Sequence, residues 1–172
     1  MTPLDPALRI RPAVDADGPA MADLIRAVFA EYDDCPFVPE EFPELEAPAT
    51  HYGPRKGGVL WVVEREGPDG SRRIVGSLAV TPHAERYTFE LFKVYVAADE
   101  RGQGLSARLL CDAMTYARER GGRRMVLWSD TRFKRGHAFY RKHGFRQLPG
   151  IRALHDVGRS FEYAFARDIG QA

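Results

Sequence analysis

Residues 94–106 read Val94-Tyr95-Val96-Ala97-Ala98-Asp99-Glu100-Arg101-Gly102-Gln103-Gly104-Leu105-Ser106, and this stretch decides the fold. The run that leads into it, Tyr87 to Val96, carries Phe89, Leu91, Val94 and Val96, the aromatic and β-branched content of a central strand. Beyond it, Leu105, Leu109, Ala113 and Ala117 recur at helical spacing until Gly121-Gly122 supplies a stop. A strand thus passes through two glycines into a helix. Such a junction leaves backbone N–H groups without partners where the helix dipole favours negative charge, which suits a phosphate. Glycine at 102 and 104 lets the backbone approach an oxyanion that a side chain would hold off. The same residues also suit a plain tight turn. The loop lacks the Gly-Lys-Ser/Thr of a Walker motif and the third glycine of a dinucleotide fingerprint.

Toward the amino terminus, Leu8 to Arg11 alternates apolar and basic residues as a strand does. Asp15 or Asp17 then stands where a cap would start a helix carrying Met21, Leu24, Ile25 and Val28. From Asp33 to Arg55 the periodicity disappears. Pro36, Pro39, Pro43, Pro48 and Pro54 leave room only for a short helix over Glu40 to Glu46. Val59 to Glu66 and Arg73 to Val80 flank Gly67-Pro68-Asp69-Gly70 and form a hairpin. Toward the carboxyl terminus, Met125 to Trp128 reads as a strand, Phe133 to His143 as a helix ending at Gly144, and Phe145 to Leu148 as a strand. Phe161, Tyr163 and Phe165 alternate in a last strand. The order β-α-β-β-β-α-β-α-β-β predicts a single α/β domain over residues 1–172, a mixed sheet with helices packed on it.

Composition narrows the function. With 25 Lys and Arg against 24 Asp and Glu, interspersed along 172 residues, the chain lacks the basic excess that neutralises several phosphates of a nucleic acid. Met1 to Pro19 has no apolar run behind a basic start, and no later stretch is long and apolar enough to span a bilayer. Cys35 and Cys111 lie far apart without a pairing motif, which suits a reducing cytoplasm. The expected protein therefore binds neither nucleic acid nor membrane. The oligomeric state stays open, a homodimer included.

Two motifs carry a family resemblance. Val94-Tyr95-Val96 followed by Arg101-Gly102-Gln103-Gly104-Leu105-Ser106 resembles the acetyl-CoA signature, Arg/Gln-x-x-Gly-x-Gly/Ala, of the GNAT N-acetyltransferases. His137-Ala138-Phe139-Tyr140-Arg141-Lys142-His143-Gly144-Phe145 resembles the family's later helix, with its Phe-Tyr pair and closing Gly-Phe. The resemblance implies a GNAT-type, mostly antiparallel mixed sheet flanked by helices, and acetyl-coenzyme A as co-substrate without a metal. It also implies transfer of an acetyl group to a primary amine by direct attack. A small-molecule amine is the favoured acceptor. A peptide or protein, modified at its amino terminus or at lysine, is the alternative, as is a non-catalytic CoA-binding or sensing module. Two positions depart from the pattern: Ser106 stands where Gly or Ala is usual. Phe133 stands at the cofactor position where many members carry Asn, seven residues before the tyrosine.

Acetyl transfer sets three demands. An amine with a pKa near 10.4 must lose a proton, which asks for a base. Glu90, six residues before Val96, matches the place of the glutamate base in histone-type members. As a residue on a strand, it equally suits a cross-strand partner of a surface Lys or Arg. The developing oxyanion asks for fixed backbone donors, and the resemblance assigns these to Val94 to Val96, on a strand that splays so that the pantetheine arm adds alongside. The departing thiolate, whose conjugate acid has a pKa of about 8.5, gains from a proton donor. The resemblance assigns that role to Tyr140, where a buried aromatic would look the same. Tyr32 and Phe37, in the acidic segment Glu31 to Glu46, join Glu90 and Trp128 as the acceptor-side candidates. The five histidines show no metal-ligand spacing.

Overall fold

Eight strands join one sheet in the computed structural model, which describes residues 4–170. β1 (Leu8–Pro12), β2 (Val59–Glu66), β3 (Arg72–Pro82) and β4 (Thr88–Val96) follow one another antiparallel. β5 (Arg124–Asp130) lies parallel to β4, and β8 (Phe161–Asp168) runs antiparallel to β5. The short β6 (Arg146–Gln147) and β7 (Arg152–Ala153) share the outer edge of β8. α1 (Gly18–Phe29) and α3 (Leu105–Glu119) both pack on β3 and β4. Every residue of β3 from Ile74 to Thr81 is buried, the mark of a strand covered on both faces. Leu105, Leu109, Ala113 and Ala117 supply the buried stripe of α3, at the spacing the sequence shows.

One irregularity in this sheet creates the site. Ser77 pairs with Tyr95 and Ala79 with Phe92, so Lys93 and Val94 of β4 oppose the single residue Leu78. This is a β-bulge, and Lys93 takes a left-handed φ of 53° to make it. The hydroxyl of Ser77, fully buried, donates to the Lys93 carbonyl at 2.7 Å and fixes the kink. Pairing between β4 and β5 stops at Leu91 with Leu127. β5 stays bonded to β8 as far as Asp130 with Glu162, while β4 bends away, and a gap opens between the two parallel strands.

Several local expectations need correction. Neither Asp15 nor Asp17 caps α1 with its side chain. Arg11 takes the Asp17 carboxylate through two bonds of 2.8 Å, and Asp15 instead binds Thr50 through its amide and hydroxyl. The helix expected over Glu40 to Glu46 is two 3-10 turns, Pro39–Glu41 and Pro43–Glu46, because Pro43 has no N–H to continue the first. The loop region also holds α2 (Pro48–Thr50), which runs into a π-helical turn, His51–Arg55. The strand expected over Phe145 to Leu148 contracts to β6, and β7 is an addition, short because it pairs only with Phe161 and Glu162. The later helix, α4, spans Lys134–Lys142. Of the domain expected over residues 1–172, positions 1–3 and 171–172 lie outside the described residues.

Candidate functional site

Two cavities meet at the gap between β4 and β5, one of about 280 Å³ and one of about 410 Å³. Val94, Tyr95, Ser129, Phe133 and Tyr140 line both and form a common wall. The larger follows β4 into the glycine loop, and the smaller extends toward Glu90, Trp128 and β8.

The larger cavity is a set of unspent backbone donors. Gly102 and Gly104 both have φ of 80°, a left-handed conformation, and open space lies where a side chain would project. Gly104 precedes α3, and the amides of residues 102–107 donate to no protein acceptor among the described residues. The Ala97 amide bonds β3 through the Val75 carbonyl at 2.8 Å, so Val96, one residue earlier, turns its own N–H and carbonyl toward the gap. Arg101 Nε donates to that Val96 carbonyl at 3.0 Å. A helix start rich in free amides, continued by an open strand edge, fits a diphosphate with an amide-bearing tail. Arg101 also donates to Glu31 through both terminal nitrogens, at 2.6 and 2.7 Å, and Arg135 joins at 3.0 Å. These bonds, Arg101's first, hold the Glu31 carboxyl below its ordinary pKa. Leu105 and Ser106 line this cavity at the start of α3, whereas Gln103 lines neither cavity.

Tyr140 stands in the common wall. Its ring packs against Phe145 at 5.8 Å and Phe165 at 5.7 Å, and the residue is 6% exposed. Burial raises the phenol pKa well above its usual value, so the hydroxyl keeps its proton. α4 is tied to the end of β5 by His137 Nε2, 2.9 Å from the Asp130 carbonyl, and this fixes where Tyr140 lies. Phe133, just before α4, contributes a ring without a hydrogen-bonding group, 4.9 Å from Tyr32 and 5.6 Å from Phe29.

In the smaller cavity Glu90 is half-buried and makes no ion pair among the described residues. Burial raises its carboxyl pKa, against the pull of His83, Arg152 and Lys56. Trp128 lies beneath the Arg152 guanidinium at 4.0 Å. Lys93, thrown inward by the bulge, meets Glu44 and sits 4.6 Å from the Phe42 ring. Its burial lowers the ammonium pKa, which Glu44 opposes.

Two acceptor-side expectations lie elsewhere. Tyr32 lines the larger cavity, because it follows α1, whose end faces the glycine loop through Glu31. Phe37 lines neither, since it stacks on Phe42 at 5.0 Å beneath the Arg26 guanidinium. Phe42, Lys93, Arg152 and Glu162 line the smaller cavity and were beyond the sequence reading, whereas Glu41 and Glu44, which also line it, lie in the acidic segment Glu31 to Glu46. Of those four, Lys93 carried a signal, as a cation between Phe92 and Val94. Among the described residues, no group of three or more His, Cys, Asp or Glu side chains is placed to hold a metal ion, and no helix is long and apolar enough to cross a membrane.

Comparison with known proteins bears on this arrangement. The model of the acetyltransferase (GNAT) family matches residues 25–145. The uncharacterized N-acetyltransferase YjgM of Escherichia coli (strain K12) is 34% identical over 137 residues, covering 77% of this chain and 78% of that protein. A GNAT-family acetyltransferase structure from Staphylococcus aureus Mu50 superposes with a TM-score of 0.74 at 18% identity, over 95% of this chain and 99% of that one. yncA of Salmonella typhimurium, solved with its cofactor acetyl-CoA, superposes with a TM-score of 0.68 at 20% identity, over 96% of each chain.

Proposed function

The chain belongs to the GNAT acetyltransferase family, acyltransferases that use acetyl-CoA, and from that membership we propose that it acetylates a small primary amine by direct attack across the common wall. The observation that carries this reading is the meeting of the two cavities at Tyr140, with free amides on one side and an unpaired carboxylate on the other.

Acetyl-CoA, when bound, supplies a thioester. The amides of residues 102–107 hold its diphosphate, with the dipole of α3 behind them. Arg101, Val94, Tyr95 and Val96 guide the tail along the open edge of β4 toward the wall, and Leu105, Ser106 and Phe133 close its flanks. Arriving at neutral pH, an alkyl amine is protonated, with a pKa of about 10.4. Glu90 takes that proton directly or through water, and its raised pKa makes it a stronger acceptor than an exposed carboxylate. The Val96 N–H, already directed into the gap, stabilises negative charge on the acetyl oxygen without reorganising. Tyr140 donates to the departing sulfur, a role suited to a phenol that burial keeps neutral. A cytoplasmic setting belongs to the same proposal and is supported by two free cysteines, Cys35 and Cys111.

The test is thiol release from acetyl-CoA across a panel of small amines, aminoglycosides and peptides. Turnover with small amines supports the reading. Turnover with peptides alone moves the acceptor to polypeptide chains. Acetyl-CoA binding without any turnover, by wild type and by Glu90→Gln alike, makes the protein a sensor and rejects catalysis.

A further inference from the structure

The smaller cavity has an unequal charge ledger. Six carboxylates line it, Glu41, Glu44, Glu90, Asp130, Asp156 and Glu162, against three cations, Lys93, Arg132 and Arg152. Each of those cations is already engaged. Lys93 is paired with Glu44 and covered by Phe42. Arg132 bonds both oxygens of Asp130, at 2.9 and 2.6 Å, and donates also to the Ser160 hydroxyl and the Asp34 carbonyl, which engages four of its five N–H groups. Arg152 points Nε and Nη2 at a single oxygen of Glu162, at 2.7 and 2.6 Å, with Trp128 against its face. Of the other carboxylates, Glu41 accepts the Val157 amide and Asp156 the Ser160 amide, both at 2.7 Å, and the Ser160 side chain also bonds Asp156. Glu90 faces the cavity with no partner among the described residues.

An acceptor bearing a carboxylate beside its amine would meet three surplus negative charges and, among the described residues that line the cavity, no unpaired cation; Lys56 acts on Glu90 from outside that lining, 4.5 Å from the Phe92 ring. A ligand anion here must compete with a carboxylate already in place. Lys93–Glu44 and Arg132–Asp130 are largely buried, so leaving one member unmatched is costly, whereas in Arg152–Glu162 the arginine is 47% exposed and is the cation within reach. A cation with an apolar body meets the opposite conditions: carboxylates for its charge, and Trp128, Phe42 and Phe92 for its body.

Resting on the acetyltransferase reading above, we infer that the acceptor is a cationic amine without a carboxylate, an aralkyl amine or alkyl diamine, and that the Arg152–Glu162 pair enforces rejection of amino acids. Glu162 acts here as a positioning residue: it neutralises Arg152, the most exposed of the three lining cations and so the one a substrate carboxylate would reach first.

Two measurements test this on the full chain. Calorimetry on CoA-saturated protein compares matched pairs, tyramine with tyrosine and cadaverine with lysine, and thiol release compares the same pairs in turnover. The decarboxylated member should bind at least about tenfold more tightly and show the larger kcat/KM. Glu162→Gln should narrow or reverse that preference by freeing Arg152, mainly through KM, while Glu162→Gln combined with Arg152→Gln should restore it. Equal or tighter binding of the amino acids by wild type overturns the inference. So does an unchanged preference in Glu162→Gln, provided that circular dichroism shows the variant folded. Preferential binding of the amines without thiol release would instead sink the catalytic reading and leave the recognition class standing.

Discussion

Glu31 accepts a hydrogen bond from each terminal nitrogen of Arg101, at 2.6 and 2.7 Å, beside the glycine loop, and it shares Arg135 as a third donor. A carboxylate thus occupies the cations nearest the place proposed for a diphosphate. It orders them, and it also repels the ligand they would serve.

Glu31→Gln removes the repulsion while keeping a side chain that bonds one arginine. Acetyl-CoA affinity should rise about threefold to tenfold at low salt, and the gain should shrink as salt screens the charges. Calorimetric titration at two ionic strengths decides it. Weaker binding would mean that ordering of Arg101 outweighs repulsion.

Tyr140→Phe keeps the packing against Phe145 and Phe165 and deletes only the hydroxyl. On the proposed mechanism kcat falls about 10²–10⁴-fold while donor affinity stays within about twofold. Stopped-flow thiol release beside a binding titration separates the two. A full rate with phenylalanine at 140 would reduce the tyrosine to a packing residue.

Glu90 gives a pH dependence of known sign. Its carboxyl pKa is raised by burial, so the ionised form, the base on the proposed mechanism, is lost as pH falls through that raised value. The acid limb of log kcat/KM should therefore carry a component that Glu90→Gln abolishes, together with most of the rate. Stability changes the other way. A raised folded-state pKa means that the protonated form is favoured by folding, an advantage present at low pH and lost as pH rises through that pKa. Melting curves should show Glu90→Gln gaining on wild type as pH climbs out of the acid range. Parallel melting temperatures at every pH would contradict the assignment.

Gly104→Ala tests the loop. With φ at 80°, an alanine there carries about 1–2 kcal/mol of left-handed strain, although no atom stands in the way of its methyl group. Urea denaturation should show that loss. Acetyl-CoA affinity should fall in parallel, because relief of the strain turns the amides of residues 102–107 away from their common focus.

The sequence made the scaffold legible where side-chain period and backbone demand coincide. The stripe Leu105, Leu109, Ala113 and Ala117 announces α3, and Gly102 with Gly104 announces the turn before it. The smaller cavity was less accessible because its walls converge from segments without period. Glu44 comes from a proline-rich stretch, Arg152 from a two-residue strand, and Lys93 from a bulge that reverses the expected facing of its neighbours. Tyr32 and Phe37 illustrate the limit: five residues apart in a loop, one ends beside the glycine turn and the other in a stack with Phe42. The capping role expected of Asp17 went instead to neutralising Arg11, a partner that is adjacent only once β1 and the following turn are folded.

The divergence of β4 from β5 has a consequence for traffic. The common wall is thin, five residues between two chambers that otherwise share no lining, so incoming and outgoing molecules need not queue for one doorway. On the proposed mechanism, the amide product would withdraw toward Glu162 and the spent thiol toward Gly104, each retreating from Tyr140 along the route its precursor used. Neither departure has to wait for the other.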